Sequence, residues 1–232
     1  MRHWTFLSLA AVLIGCNKTQ PPLPPAPPAV PQALRFLALG DSYTIGEGVL
    51  PAERWPVQLS AALRRAGIDV SDPTIIARTG WTTADLSDAM DHADLQPLYD
   101  LVGLLIGVNN QYQGRSEAEY REQFAALLDR AIELAGKRPS RVFVVSIPDW
   151  GVTPYAKEMG ADAAQVGAAI DRFNAINKEI TDKAAVAYVD ITPVSRQMPS
   201  LHTDDGLHPS GEMYGKWVEA ALPVARAALV SK

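Results

Sequence analysis

Five short apolar runs, each followed by a stretch with helical spacing, constrain this chain more than any other feature. The runs are Arg35–Leu39, Thr74–Arg78, Leu101–Ile106, Arg141–Ile147 and Ala185–Ile191. They have strand length, not helix length. Leu101–Ile106 is apolar almost throughout, as a central parallel strand covered on both faces must be. The stretches between them carry helical faces. Leu59, Ala62, Leu63 and Ala66 share one face over 55–66, with Pro56 in the first turn and Gly67 past the end. Thr82 or Thr83 caps a helix reaching Met90. Ser116-Glu117-Ala118-Glu119 reads as a capping box and opens a helix with Tyr120, Phe124, Leu127, Ala131 and Leu134 on one face, closed by Gly136. Val166, Ile170, Phe173, Ile176 and Ile180 stripe a helix over 161–181. Thr192–His208 reads as a loop, and Pro209 and Ser210 open a last helix to about Leu229, with a kink expected at Pro223.

This alternation predicts an α/β fold: a parallel sheet with helices on both faces. Right-handed crossovers leave few topologies. The expected arrangement is a flavodoxin-like three-layer sandwich with five strands in the order 2-1-3-4-5. The carboxyl ends of the first three strands then share one rim. Just past those ends come Ser42, Gly80 and Asn109.

The N-terminus reads differently. Arg2 precedes an apolar run, Trp4–Ile14, too short to span a membrane and right for a signal segment. It closes on Leu13-Ile14-Gly15-Cys16, which resembles a bacterial lipobox, and Cys16 is the only cysteine in the chain. The expectation is a signal peptide over 1–15 and a lipidated Cys16 leading a Pro-rich tether over 16–33, with a folded domain over 34–232. That makes the membrane a partner through a lipid anchor and places the protein in the cell envelope. Asn17 in place of Asp resembles outer-membrane sorting, and a periplasmic face is equally open. One cysteine excludes an internal disulfide. A net charge of -5 gives no basic surface, so nucleic acid is not an expected partner.

Chemistry concentrates at the rim. The first strand ends in Gly40-Asp41-Ser42, a turn that presents a serine where α/β sheets bind ligands. A serine hydroxyl is a weak nucleophile and needs a base oriented by a third group. Asp205-Gly206-Leu207-His208 supplies both, three residues apart on one turn. His202 is a second candidate base without such a partner, and Asp204 lies one residue out of register. An oxyanion needs donors fixed in advance. The Ser42 N–H, the Gly80 N–H and the Asn109 side-chain amide are candidates, Gly80 because a missing Cβ allows close approach. Asp41 reads as a short carboxylate holding the turn through backbone N–H groups. Tyr43, Trp81, Tyr112 and Trp150 are candidates to line an acyl pocket, Trp150 foremost because it follows the fourth strand.

With these blocks in order, the chain resembles the SGNH (GDSL) hydrolase family from about Arg35 onward. The first block matches Gly40-Asp41-Ser42, the second Gly80, the third Gly107-Val108-Asn109-Asn110 and the fifth Asp205 to His208. The resemblance implies acyl-ester hydrolysis by Ser42, His208 and Asp205, with Ser42, Gly80 and Asn109 as the oxyanion hole and no metal or cofactor. The third block usually ends in Asp. Asn110 stands there instead, at a position the family uses for support or near substrate, so it joins Trp81 and Trp150 as an expected substrate-binding residue. The substrate implied is an acyl ester of a small molecule, glycan or lipid. The absence of a long apolar insertion favours small acyl groups. Alternatives are a lysophospholipase or thioesterase, a transacylase on the same residues, or a non-catalytic envelope lipoprotein. The last would predict a broken triad, whereas every catalytic position is filled.

Overall fold

The five strands form one parallel sheet in the order β2-β1-β3-β4-β5, seen in a computed structural model that describes residues 1, 32–95 and 98–230. The signal segment, Cys16 and nearly all of the Pro-rich tether lie outside the described residues. β1 is Phe36–Gly40, β2 Thr74–Ala77, β3 Leu101–Leu105, β4 Val142–Val145 and β5 Ala187–Val189. β1 is as long as its apolar run and shifted on by one residue, and the other four are each a residue or more shorter than theirs. Every residue of β1, β3 and β4 is buried, whereas β2 and β5 at the edges are partly open. Register pairs Gly40 with Ala77 on one side and Leu105 on the other, so the chain leaves three neighbouring strands at one level.

Four longer helices follow the expected spacing: α2 Trp55–Arg65, α3 Thr83–His92, α5 Glu117–Leu134 and α7 Ala163–Lys183, numbered along the chain. The last helix, α9 Gly211–Val230, continues unbroken through Pro223 where a kink was expected. Proline forfeits its own N–H bond, and the buried face of α9 (Met213, Tyr214, Trp217, Ala221, Ala225) holds the helix through that gap. α2 packs on α9, and α5 on α3 and α7, giving the two outer layers. On one face Phe36, Trp55 and Phe143 meet with ring centroids 6.1–6.3 Å apart. A side chain at Gly103 would run into both Phe143 and Trp55. On the other, Tyr120, Phe124 and Phe173 stack at 4.5–5.7 Å.

Four short helices lie in stretches where no helix was assigned from the sequence: α1 Ser42–Ile45, α4 Val108–Tyr112, α6 Pro154–Glu158 and α8 Thr192–Gln197. Segments of four to six residues span less than two helical turns and cannot repeat an apolar face. α8 corrects the loop reading of Thr192–His208 most clearly, and tertiary bonds hold it: Thr192 donates to the Ile147 carbonyl at 2.8 Å, and Ser195 accepts from the Asp149 N–H at 3.0 Å. Two caps are resolved. Thr82, not Thr83, caps α3 in a reciprocal box with Asp85. Ser116 caps α5 through the Glu119 N–H at 3.1 Å, while the Glu119 carboxylate accepts from Gln123 instead of closing the box. Among the described residues no helix is long and apolar enough to cross a membrane.

Candidate active site

The carboxyl ends of four strands open onto one cavity of about 170 Å³. Ser42 and Tyr43 reach it from α1, after β1; Thr79 and Gly80 from the turn after β2; Val108, Asn109 and Tyr112 from α4, after β3; Trp150 from the turn after β4. Leu207 and His208 enter from the loop before α9, and Tyr155 from α6. Of the expected residues, Ser42, Gly80, Asn109, Trp150 and His208 all line it.

Ser42 is 5% exposed, at the first position of α1. Asp41 caps that helix by accepting from the Tyr43 N–H at 3.0 Å, the role expected of it. The other Asp41 carboxylate oxygen is buried with no hydrogen-bond partner. Burial pushes the Asp41 pKa up to about 7, against the smaller downward pull of nearby backbone N–H groups.

His208 is 8% exposed, and its Nδ1 lies 2.6 Å from Asp205 Oδ2. A carboxylate there makes Nδ1 the donor and leaves Nε2 as the acceptor. The other Asp205 oxygen accepts from Thr203 Oγ1 and Leu207 N–H at 2.8 Å and from His208 N–H at 2.9 Å. Partial burial is the largest single influence on Asp205 and acts upward. The bonds from His208, Leu207 and Thr203 together outweigh it and hold the carboxyl well below the usual range. The turn is pinned as a narrow hairpin by Thr203 N–H to the His208 carbonyl at 2.8 Å and Ser210 N–H to the Leu201 carbonyl at 3.0 Å. The Tyr43 ring meets the imidazole edge-on at 5.8 Å, with Trp217 behind it at 6.1 Å.

Gly80 has φ +86°, a left-handed conformation. A Cβ built there meets no atom within 4 Å, so the backbone angle, not crowding by protein, accounts for the glycine. Gly107 has φ +129°, and a side chain there would overlap the Tyr120 ring, which fixes where α4 begins. Asn109 spends one amide N–H on the Trp81 carbonyl at 2.8 Å, tying the β3 end to the β2 end.

Two expected substrate-binding residues lie elsewhere. Asn110 is 1% exposed and faces Thr83, whose N–H it accepts at 3.0 Å and whose hydroxyl it donates to at 2.7 Å. Thr83 in turn donates to Gln123. Asn110 thus serves Thr83 with both halves of its amide, the oxygen as acceptor and the nitrogen as donor. Trp81 packs against the hydrophobic core and does not line the cavity. His202 is also outside it, with its pKa lowered chiefly by burial. Asp204 is exposed, and His92 closes α3 on the Asp88 carbonyl at 2.7 Å.

Trp150 is 8% exposed and donates its indole N–H to Gln111 at 2.7 Å. Tyr112 stands edge-on to it at 5.3 Å, and the Tyr112 and Tyr155 hydroxyls are 3.2 Å apart. Behind this wall Asp149 pairs with Arg196 of α8 at 2.8 Å and accepts from the Gly151 N–H at 2.9 Å. Tyr155, Leu207, Val108 and Thr79 escaped the sequence reading. Leu207 sits inside the Asp205–His208 block and Val108 and Thr79 beside Asn109 and Gly80, so adjacency was a usable signal for those three. Tyr155 had none, because α6 is too short to show a face. Among the described residues no three His, Cys, Asp or Glu side chains gather to hold a metal ion.

The model of the GDSL-like Lipase/Acylhydrolase family matches residues 38–216, from β1 into α9. No curated protein sequence matches the chain. Several solved structures resemble it. TesA superposes with a TM-score of 0.67 at 16% identity, over 84% of this chain and 99% of that one. The psychrotrophic esterase EstA from Pseudoalteromonas sp. gives 0.66 at 14% identity, over 85% and 99%. The lipase/acylhydrolase from Enterococcus faecalis gives 0.62 at 19% identity, over 84% and 95%. At these identities the likeness is one of fold.

Proposed function

Because the chain belongs to the GDSL-like lipase/acylhydrolase family and is a carboxylic ester hydrolase, we propose that Ser42, His208 and Asp205 are its catalytic triad. The observation that carries this reading is the 2.6 Å contact between Asp205 and His208 Nδ1, on an imidazole that lines the same cavity as Ser42. In this mechanism Ser42 Oγ attacks the acyl carbon and its proton passes to His208 Nε2. Asp205 stabilises the imidazolium that forms. The carbonyl oxygen, now an oxyanion, is met by the Ser42 and Gly80 N–H groups and the second amide N–H of Asn109. His208 then protonates the departing alkoxide, and the alcohol leaves. Water, deprotonated by the same nitrogen, attacks the acyl-enzyme, and the acid and free Ser42 are released.

The substrate reading is a short acyl group. A cavity of about 170 Å³ is smaller than the roughly 300–1,000 Å³ of ordinary ligand pockets, and three aromatic rings wall one side. The lipobox-like Leu13-Ile14-Gly15-Cys16 supports lipid anchoring at Cys16 in the cell envelope, where acylated glycans and lipids are the available esters.

The test is hydrolysis of p-nitrophenyl esters from acetyl to palmitoyl, with Ser42→Ala alongside. Activity falling from acetyl upward, and lost by a factor on the order of 10⁴–10⁶ in Ser42→Ala, is the expected result. A maximum at long chains would move the substrate to lipid. Full activity in Ser42→Ala would sink the triad.

A further inference from the structure

We propose that the Tyr112 and Tyr155 side chains form a strap that closes the aromatic end of the cavity and sets the longest acyl group accepted, an inference that rests on the esterase reading above. The two tyrosines come from different elements, the last residue of α4 and the second of α6, and so from loops after neighbouring strands β3 and β4. Both line the cavity, and their hydroxyls lie 3.2 Å apart, one donating to the other.

Each ring stands on a fixed base. The Tyr112 ring rests edge-on against Trp150, which is buried and held by Gln111. The Tyr155 N–H donates to the Gly206 carbonyl at 3.0 Å, tying α6 to the turn that carries His208. The outer end is open: Tyr112 is 53% exposed. The strap is therefore two anchored rings of the cavity lining joined at their tips, with solvent beyond.

Polarity decides which part of an ester faces it. The polar part of the lining includes Thr79 and Gly80, and the Thr79 hydroxyl bonds to the Glu47 carboxylate. That part suits an alcohol or sugar. The aromatic end suits the acyl chain, which is apolar. A short acyl group fits inside the strap. A longer one must part the hydroxyls and push the Tyr112 ring off its edge-on contact with Trp150, which gives up an aromatic contact as well as the bond.

The experiment uses the full-length protein in detergent and four variants, Tyr112→Phe, Tyr155→Phe, Tyr112→Ala and Tyr155→Ala. The readout is kcat/KM for p-nitrophenyl octanoate divided by that for p-nitrophenyl acetate. Opening the end lets two further methylenes bury, each giving roughly fourfold, so the ratio is expected to rise by about fifteenfold in the Ala variants. The Phe variants keep the rings and lose the bond, and a smaller rise is expected. An unmoved ratio in both Ala variants, with hydrolysis and fluorophosphonate labelling retained, overturns the strap alone. A parent enzyme that neither hydrolyses these esters nor labels overturns the esterase reading instead. A change in preference among acetyl esters of longer alcohols, with the acyl ratio fixed, also overturns the assignment.

Discussion

Two carboxyl groups flank the chemistry, and their surroundings push them in opposite directions. Asp205 accepts four hydrogen bonds and is held far down, so it stays ionised throughout the working range. Asp205→Asn would offer an N–H where an acceptor is needed and favour the wrong imidazole tautomer. If the triad reading holds, kcat falls on the order of 10⁴-fold, with the far-ultraviolet circular dichroism unchanged. Asp41 is the reverse case. It is fully buried, one oxygen is unpartnered, and burial pushes its pKa from 3.8 up to about 7. In the unfolded chain it ionises near its ordinary value. Between about pH 4 and 7 the folded state thus binds the extra proton, and stability falls as pH rises through that window. The span corresponds to about 4 kcal/mol as an upper order of magnitude. Asp41→Asn keeps the acceptor for the Tyr43 N–H and removes the titration. The variant's Tm relative to the parent should therefore climb by several degrees from pH 4 to pH 8. A difference that stays constant over that range would contradict the buried-carboxyl account.

The elements differ in how they hold the rim, and Asn110 shows how. Its side chain joins α4 to the first residue of α3, while Asn109 beside it reaches back to Trp81. Asn110→Ala strands the buried Thr83 N–H, which costs about 1–3 kcal/mol. A loss of roughly 2–4 °C in Tm per kcal/mol follows for a domain of this size. Differential scanning calorimetry checks it, and an unchanged Tm would mean water replaces the amide. The same pair marks where sequence reading stops. Of the longer helices, α2, α5 and α7 were legible from a repeated apolar face, α3 from its threonine cap and α9 from Pro209 and Ser210 at its start. The strands were legible as apolar runs, although Arg35, Arg78, Arg141 and Ile191 at their ends lie outside the ladders. α1, α4, α6 and α8 were not, because four to six residues cannot repeat an apolar face, and α8 is in addition held by tertiary bonds with Asp149 and Ser146. Asn110 followed the same rule: its residue type was visible, and its buried partner 27 positions earlier was not.

For the whole molecule, sheet order turns separate motifs into a site. Ser42, Gly80, Asn109 and Trp150 lie far apart in sequence, yet each follows a strand of the row β2-β1-β3-β4. The candidate site was therefore readable wherever a residue sat at a strand end, and unreadable where α6 brought Tyr155 to the cavity from the side. Residues 33–232 form a compact unit containing every residue of the cavity. Anchoring and catalysis should then be separable. Each buried methylene of a lipid chain adds about 0.8 kcal/mol of membrane affinity, whereas every described residue that lines the cavity lies after Ala33. If Cys16 carries the anchor, Cys16→Ser moves the protein from the membrane fraction to the soluble fraction of expressing bacteria and abolishes incorporation of labelled palmitate. Hydrolysis of p-nitrophenyl acetate per mole of enzyme stays within about twofold of the parent, because the described residues that line the cavity are unchanged. A variant that remains membrane-bound and labelled would show that attachment does not depend on Cys16. One that is released but inactive would show that the segment before Ala33 supports the fold.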